Sequence, residues 1–303
     1  MQIGINASGM LAKPSIERFE AQLRTAAEQG FASFWIAQAT TVDALTVIAA
    51  IGRDVPEIEF GTAVIPTYQR HPTMLAAQAM TAQALTGGRI NLGIGLSHKV
   101  VIEGMFGLSY DKPIRHMRDY LSILLPLINE GKVNFEGETL SGRCDIIIPK
   151  DTPPCPVLLA ALGPQMLRLA GSRTAGTVLW MVGEKTLRDH IAPRIREAAA
   201  SAGRPAPRIV ASLPICVTED IESTRARADR AFAGYGHMPS YRAMLDREGC
   251  ETATDVSLLG SESQVRDRLN AFAEAGATEF SAMEFCKTDA ERENTRELLR
   301  SFL

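Results

Sequence analysis

Short apolar segments of strand length alternate with longer stretches of helical period along almost the whole chain, and this alternation most restricts the fold. QIGINA at Gln2 to Ala7 reads as a strand, followed by a helix from Ser15 to Gln29 with Phe19, Leu23 and Ala26 on its apolar face. The strand Phe34 to Ala37 and the helix Val42 to Ile51 repeat the unit. So do the strand Glu59 to Ile65 and a helix that Pro72 opens at a first-turn position and Gly87-Gly88 closes. Ile90 to Ile94 is the fourth strand. The helix after it, Pro113 to Ile128, carries Met117, Leu121, Leu124 and Ile128 on one face. Pro126 predicts a kink or early end there, because proline lacks an N–H and crowds the preceding turn.

From Gly131 to Pro156 the period breaks into the Gly- and Pro-punctuated run VNFEGETLSGRCDIIIPKDTPPCP. This predicts an insertion of short β pieces over residues 131–156, after the fourth β/α unit. Alternation then resumes with strands Val157 to Ala160, Gly176 to Trp180, Ile209 to Cys216 and Glu279 to Ala282. Between and after them lie helices Pro164 to Arg173, Glu184 to Ala200, Ile221 to Ala233 and Asp289 to Ser301. Another helix starts at the capping box Ser261 to Gln264 and stops at Gly276. About eight β/α units in one chain of this length predict a single α/β domain over 1–303, a (β/α)8 TIM barrel, with an open doubly wound sheet as the competing arrangement.

With 46% hydrophobic residues the chain can bury a core of that size. It has no apolar run approaching the roughly 18 to 20 residues of a membrane span. It enters directly as MQIGINASG, without a basic and then apolar leader, so a soluble cytoplasmic protein with no membrane partner is expected. A net charge of −3 supplies no basic field for nucleic acid. The five cysteines, Cys144, Cys155, Cys216, Cys250 and Cys286, have no metal-ligand spacing and read as reduced structural thiols, with no metal site.

In such a barrel the functional mouth is built just after each strand. The set comprises Ala7-Ser8-Gly9, Gln38, Ala63-Val64-Ile65-Pro66 and Gly95-Leu96-Ser97-His98, then Ala161-Leu162-Gly163, Trp180-Met181 and Glu284. It is mainly apolar, which suits a flat aromatic ligand better than a charged sugar phosphate alone. GIGLSH after the fourth strand lacks the third glycine of a dinucleotide fingerprint and reads equally as a tight strand exit. Gly163-Pro164 opens a helix whose free N–H groups and dipole favour a phosphate, or it is simply a proline-initiated start.

At these residues the sequence resembles the bacterial luciferase-like flavin and deazaflavin oxidoreductases. The matching pieces are GFASFWIAQ (Gly30 to Gln38), GTAV with RHP (Gly61 to Val64, Arg70 to Pro72), and LTGGRINLGIG (Leu85 to Gly95). LAALGPQMLRLAG (Leu159 to Gly171) and GSESQVRDRLNAFAEAGATEF (Gly260 to Phe280) follow in family order. The branch using the deazaflavin coenzyme F420 looks most similar. The resemblance implies a barrel with an insertion, a homodimer, hydride transfer at the deazaflavin C5, and a non-proline cis peptide at Ala63-Val64 backing the coenzyme ring. Carried over by position, Leu96 and Ser97 lie near the coenzyme, and Leu162, Gly163, Gln165 and Met166 form its phosphate-binding turn beside Pro164. Gln38 falls where several relatives place an acidic residue beside the deazaflavin. Ala39 stands where sugar-phosphate enzymes of the family have a catalytic histidine, a departure that argues against that substrate. His98 replaces a proton-exchanging glutamate, and an imidazole with an ordinary pKa of about 6.5 suits that task, or else is a solvated loop histidine.

Other polar residues have plainer readings. His71 caps the helix it precedes. Tyr110, Arg115, His116 and Arg118 read as a solvated helix face or a mouth lining, Trp35 as core, and Trp180 as a pocket wall. The function expected is hydride transfer between F420 and a small unsaturated or carbonyl substrate. Reduced FMN with oxygen, as in a luciferase-like monooxygenase, is the alternative. A non-catalytic flavin- or deazaflavin-binding protein fits the scarcity of acids and bases. A Schiff-base lyase would need a lysine at a strand end, and Lys99 lies beyond His98.

Overall fold

The computed structural model describes residues 1–38 and 40–303, so the expectation concerning Ala39 lies outside the described residues. Eight parallel strands close into a barrel. In chain order they are Gln2–Asn6, Ser33–Ile36, Glu59–Thr62, Ile90–Gly95, Val157–Leu159, Gly176–Trp180, Arg208–Val217 and Glu279–Glu284. Each pairs with its sequence neighbour in the barrel, and the first pairs with the last through Gln2↔Glu279 to Ile5↔Ala282, which leaves no open edge in the ring. The doubly wound alternative is thereby excluded.

The helices pack around this ring in one continuous apolar layer. Phe19 and Leu23 of Ile16–Glu28, Leu75 and Ala79 of Pro72–Leu85, and Leu121 and Leu124 of Pro113–Glu130 are all fully buried there. Local sequence signals set the helix ends. Ser15 caps the first helix at the Arg18 amide, His71 caps its helix at the Thr73 amide, and Ser261 and Gln264 form the reciprocal capping box. Pro126 does not end its helix, which runs on to Glu130. Leu121, Ile123, Leu124, Leu127 and Ile128 are at most 1% exposed, and burying that face offsets a local proline cost of about 3 kcal/mol.

Inside the ring, Trp35 packs with Leu158, Val178 and Val210. A Cβ on Gly61 would lie 2.0 Å from the Trp35 ring, so glycine there lets the indole cross the barrel. Below it, Glu279 is fully buried. It accepts hydrogen bonds from Ser33 Oγ and from Trp35 Nε1 (2.7 Å), and pairs with Arg208, which also reaches Glu59 at 2.7 Å. The bottom of the barrel is thus a satisfied ionic plug.

Between Glu130 and the fifth strand, Lys132–Glu136 and Ser141–Asp145 form a separate antiparallel pair beside the helix Pro113–Glu130. The stretch expected as one helix from Glu184 to Ala200 contains a π-helical segment, Leu187–Ile191, before Ala192–Ser201. The elements that went unpredicted include the short helix Lys99–Gly104, the helix Pro239–Glu248, and the strand Leu258–Gly260 paired outside the ring to Ile215–Val217. All five cysteines are free. No helix among the described residues is long and apolar enough to cross a membrane, and none of their His, Cys, Asp and Glu side chains cluster as a metal site.

Candidate active site

A cavity of about 860 Å³ opens at the C-terminal ends of the barrel strands. Its floor begins where the third strand breaks. Glu59–Thr62 pairs with the flanking strands, the Ala63–Val64 peptide is cis, and Ile65–Pro66 then pairs with Ile94 and Gly95. The fourth strand makes room for this bulge with two glycines. A Cβ on Gly93 would lie 1.9 Å from the Thr62 carbonyl oxygen, and one on Gly95 2.8 Å from Val64 Cγ2. Ala63, Val64 and Gly95 all line the cavity. Ile65 does not: its side chain is fully buried in the outer core, and it borders a second cavity of about 580 Å³ instead. The period-two alternation of a strand separates it from Val64.

Leu96, Ser97 and His98 continue the lining after the fourth strand. Ser97 has a left-handed backbone (φ 61°), and its carbonyl accepts a hydrogen bond from Tyr110 Oη at 3.3 Å. Tyr110 stacks on Tyr68 (5.0 Å), which stacks in turn on His116 at 3.9 Å with the rings nearly parallel. His116 therefore does not belong to a solvated face. It is 6% exposed, its Nε2 meets Thr67 Oγ1 at 3.0 Å, and burial lowers its pKa to about 4. Arg115 and Arg118 are exposed as expected, Arg115 pairing with Glu138.

His98 precedes the helix Lys99–Gly104 without capping it, and its ring lies 5.5 Å from Tyr241. Burial lowers its pKa below the ordinary value, so it is mostly neutral at pH 7.

The opposite rim is the turn after the fifth strand. Leu162, Gly163, Pro164, Gln165 and Met166 all line the cavity, and Gly163 caps the helix Pro164–Arg173 with no side-chain hydrogen bond. Pro164 has no N–H, and the amides of Gln165 and Met166 head the helix at the positive end of its dipole. His190, from the π-helical segment, fixes this turn by donating from Nε2 to the Leu162 carbonyl at 2.8 Å.

Of the other expected mouth residues, Gln38 lies in the lining and Glu284, Ala7 and Met181 do not. Gln38 lines the cavity, but its side-chain amide is engaged with backbone: Oε1 accepts from the Ala44 amide at 2.8 Å and Nε2 donates to the Val42 carbonyl at 3.3 Å. Glu284 lies outside the lining and pairs with buried Arg296 at 2.6 Å, while its neighbour Met283 faces the cavity. Ala7 and Met181 are buried in the outer core.

Sequence reasoning also missed a wall. Phe232 ends the helix Ile221–Phe232, Tyr235 lies in the 3-10 turn Ala233–His237, and Tyr241 lies in Pro239–Glu248. With Trp180 they form an edge-to-face aromatic group. The run FAGYGHMPSY was the available signal, but its glycines hide any helical period. None of the residues lining the cavity is Asp, Glu, Lys or Arg.

The sequence model of the luciferase-like monooxygenase family matches residues 1–279. The chain belongs to that family. Within it, a Mycobacterium tuberculosis protein provisionally named a coenzyme F420-dependent oxidoreductase is 32% identical over 184 residues, 56% of this chain. That match spans about half, 52%, of the relative's own length. A 5,10-methylenetetrahydromethanopterin reductase of Archaeoglobus fulgidus is 26% identical over 89% of this chain and 90% of its own. The crystal structure of the coenzyme F420-dependent tetrahydromethanopterin reductase of Methanopyrus kandleri superimposes with a TM-score of 0.82 at 20% identity. It covers 99% of this chain and 97% of its own, which shows the shared barrel.

Proposed function

We propose that this luciferase-like chain is an oxidoreductase that exchanges a hydride between coenzyme F420 and a small unsaturated or carbonyl substrate. One arrangement carries the reading: the uncapped helix start at Gly163–Met166, the bulge at Ala63–Val64 and His98 all border one cavity without charged side chains. The names of the relatives support F420 as the coenzyme.

The residues present fit such a group. Gly163 has nothing within 4 Å of where a Cβ would stand, so the space before the two free amides is open to a phosphate. Ala63, Val64 and Leu96 offer a small, apolar surface to a flat ring. When bound, reduced F420 supplies the hydride.

A carbonyl substrate that received this hydride would form a C–H bond at carbon, its π pair would move to oxygen, and the oxygen would take a proton from the imidazolium form of His98, leaving the ring neutral. In the reverse direction neutral His98 takes the alcohol proton. Burial lowers the pKa of the ring, which disfavours its charged form and so favours its role as proton acceptor in alcohol oxidation over its role as donor. Tyr235 and Tyr241, whose phenols burial holds protonated, remain hydrogen-bond donors throughout.

The same pocket would take FMN, a tricyclic ring that also carries a phosphate, and the family's description favours a monooxygenase as the second reading. Titrating the purified protein with F420 and separately with FMN, each followed by its own fluorescence, tests the choice. Saturable F420 binding is expected, and micromolar FMN binding with none for F420 overturns it. A single domain over 1–303 with 131–156 inserted, a homodimer and a cytoplasmic location complete the proposal, and light scattering tests the dimer.

A further inference from the structure

We propose that the substrate is an uncharged, flat, largely apolar carbonyl compound, an aromatic aldehyde or ketone in class, seated against the wall of Trp180, Tyr235 and Tyr241. The hydride step rests on the F420 reading above, whereas the choice of substrate rests on the lining of the cavity and on this wall.

The first ground is charge. With no Asp, Glu, Lys or Arg in the lining, a carboxylate, phosphate or ammonium group on the substrate would lose its water and gain no counter-ion. The one built-in anion site, the helix start at Gly163, is committed to the coenzyme phosphate. A sugar phosphate, a dicarboxylate or an amino acid is therefore selected against.

The second ground is shape. Tyr235 meets Tyr241 edge to face at 4.9 Å and 86°, and Trp180 at 6.1 Å and 65°; Phe232 braces Trp180 at 6.3 Å. These contacts hold the rings in place before a ligand arrives, which lowers the ordering cost of binding a flat apolar group. A cation could also stack on such rings. No carboxylate stands in the lining to complete a cationic site.

The third ground is the position of the remaining polar groups. His98 lies 5.5 Å from Tyr241, both line the cavity, and the buried Nε1 of Trp180 in the same wall has no hydrogen-bond partner among the described residues. The Trp180 N–H and the Tyr241 hydroxyl, in one lining with a proton-exchanging ring, suit a carbonyl oxygen as acceptor. The ring faces of the wall offer apolar contact.

Isothermal titration of the full chain, with and without F420, would use 2-naphthaldehyde, 2-naphthoate and the trimethylammonium salt of naphthalene as probes. The aldehyde is expected to bind at least about tenfold tighter than either ion. Tyr241→Ala should weaken the aldehyde by about tenfold while leaving F420 affinity in place. Tyr241→Phe, which keeps the ring and its edge-to-face contact with Tyr235, should reduce the preference for 2-naphthaldehyde over 2-methylnaphthalene. Equal or tighter binding of an ion, or an aldehyde affinity indifferent to both Tyr241 variants, overturns the proposal. Aldehyde binding without F420 binding refutes the coenzyme reading and leaves the substrate class standing; F420 binding with no neutral-ring preference does the reverse.

Discussion

Replacing Gly163 by aspartate separates coenzyme recognition from folding. Gly163 has φ −80° and ψ 155°, an ordinary cap conformation for any residue, and its Cβ would meet nothing within 4 Å. Aspartate is a good helix cap, so stability should stay level or rise by a few tenths of a kcal/mol, roughly the Gly-to-Asp difference at caps. The new carboxylate would occupy the Gln165 and Met166 amides and face the coenzyme phosphate. A unit charge about 5 Å from a phosphate at an effective dielectric of 20 costs about 3 kcal/mol. That corresponds to a loss of about 100-fold in affinity. Asparagine, which caps without charge, should lose about tenfold, the worth of displaced charge-assisted hydrogen bonds. Fluorescence titration of F420 at low and high salt, with urea unfolding alongside, measures both quantities. An affinity within about threefold of wild type in a folded Gly163→Asp protein refutes the phosphate site.

Other outcomes follow from single groups. Gly93→Ala drives a methyl into the Thr62 carbonyl at 1.9 Å and should cost about 3 kcal/mol in urea unfolding; a loss under about 1 kcal/mol contradicts the packing of the bulge. His98 titrates below its ordinary value, so kcat/KM for carbonyl reduction should fall as pH rises through that lowered pKa, and for alcohol oxidation should rise through it. His98→Ala should remove the inflection and cost about 100-fold in kcat, and an unchanged profile rejects the role. His116, held neutral in the fold down to about pH 4, is protonated more readily in the unfolded chain, so stability should decline from about pH 6.5 toward 4. The expected loss is on the order of 2 kcal/mol after allowance for partial screening, and His116→Gln should flatten it in pH-dependent urea melts.

The barrel was legible because each strand and helix carries its own period and its own end signals, as at Ser15, Pro72 and Ser261. Where packing overrules local preference the sequence misleads: Pro126 sits inside an intact helix because the face around it is wholly buried. The mouth was legible wherever a strand simply runs out, at Gly95–His98 and at Leu162–Met166. It was not legible where one residue of register decides the face, so that Val64 and Met283 line the cavity while Ile65 and Glu284 turn away. Nor could composition find Phe232, Tyr235 and Tyr241, which come together only through the fold of a glycine-interrupted segment. The state of His98 needed its burial, and the engagement of Gln38 needed its neighbours Val42 and Ala44.

The central claim is that this cavity directs a hydride from a deazaflavin to a neutral carbonyl. Reduced F420 carrying deuterium at C5, mixed anaerobically with the protein and a set of neutral carbonyls including 2-naphthaldehyde, tests it directly. Deuterium is expected at the alcohol carbon in proportion to the coenzyme oxidised, with no need for oxygen. Turnover only with reduced FMN in air, with an oxygen atom appearing in the product, would contradict it.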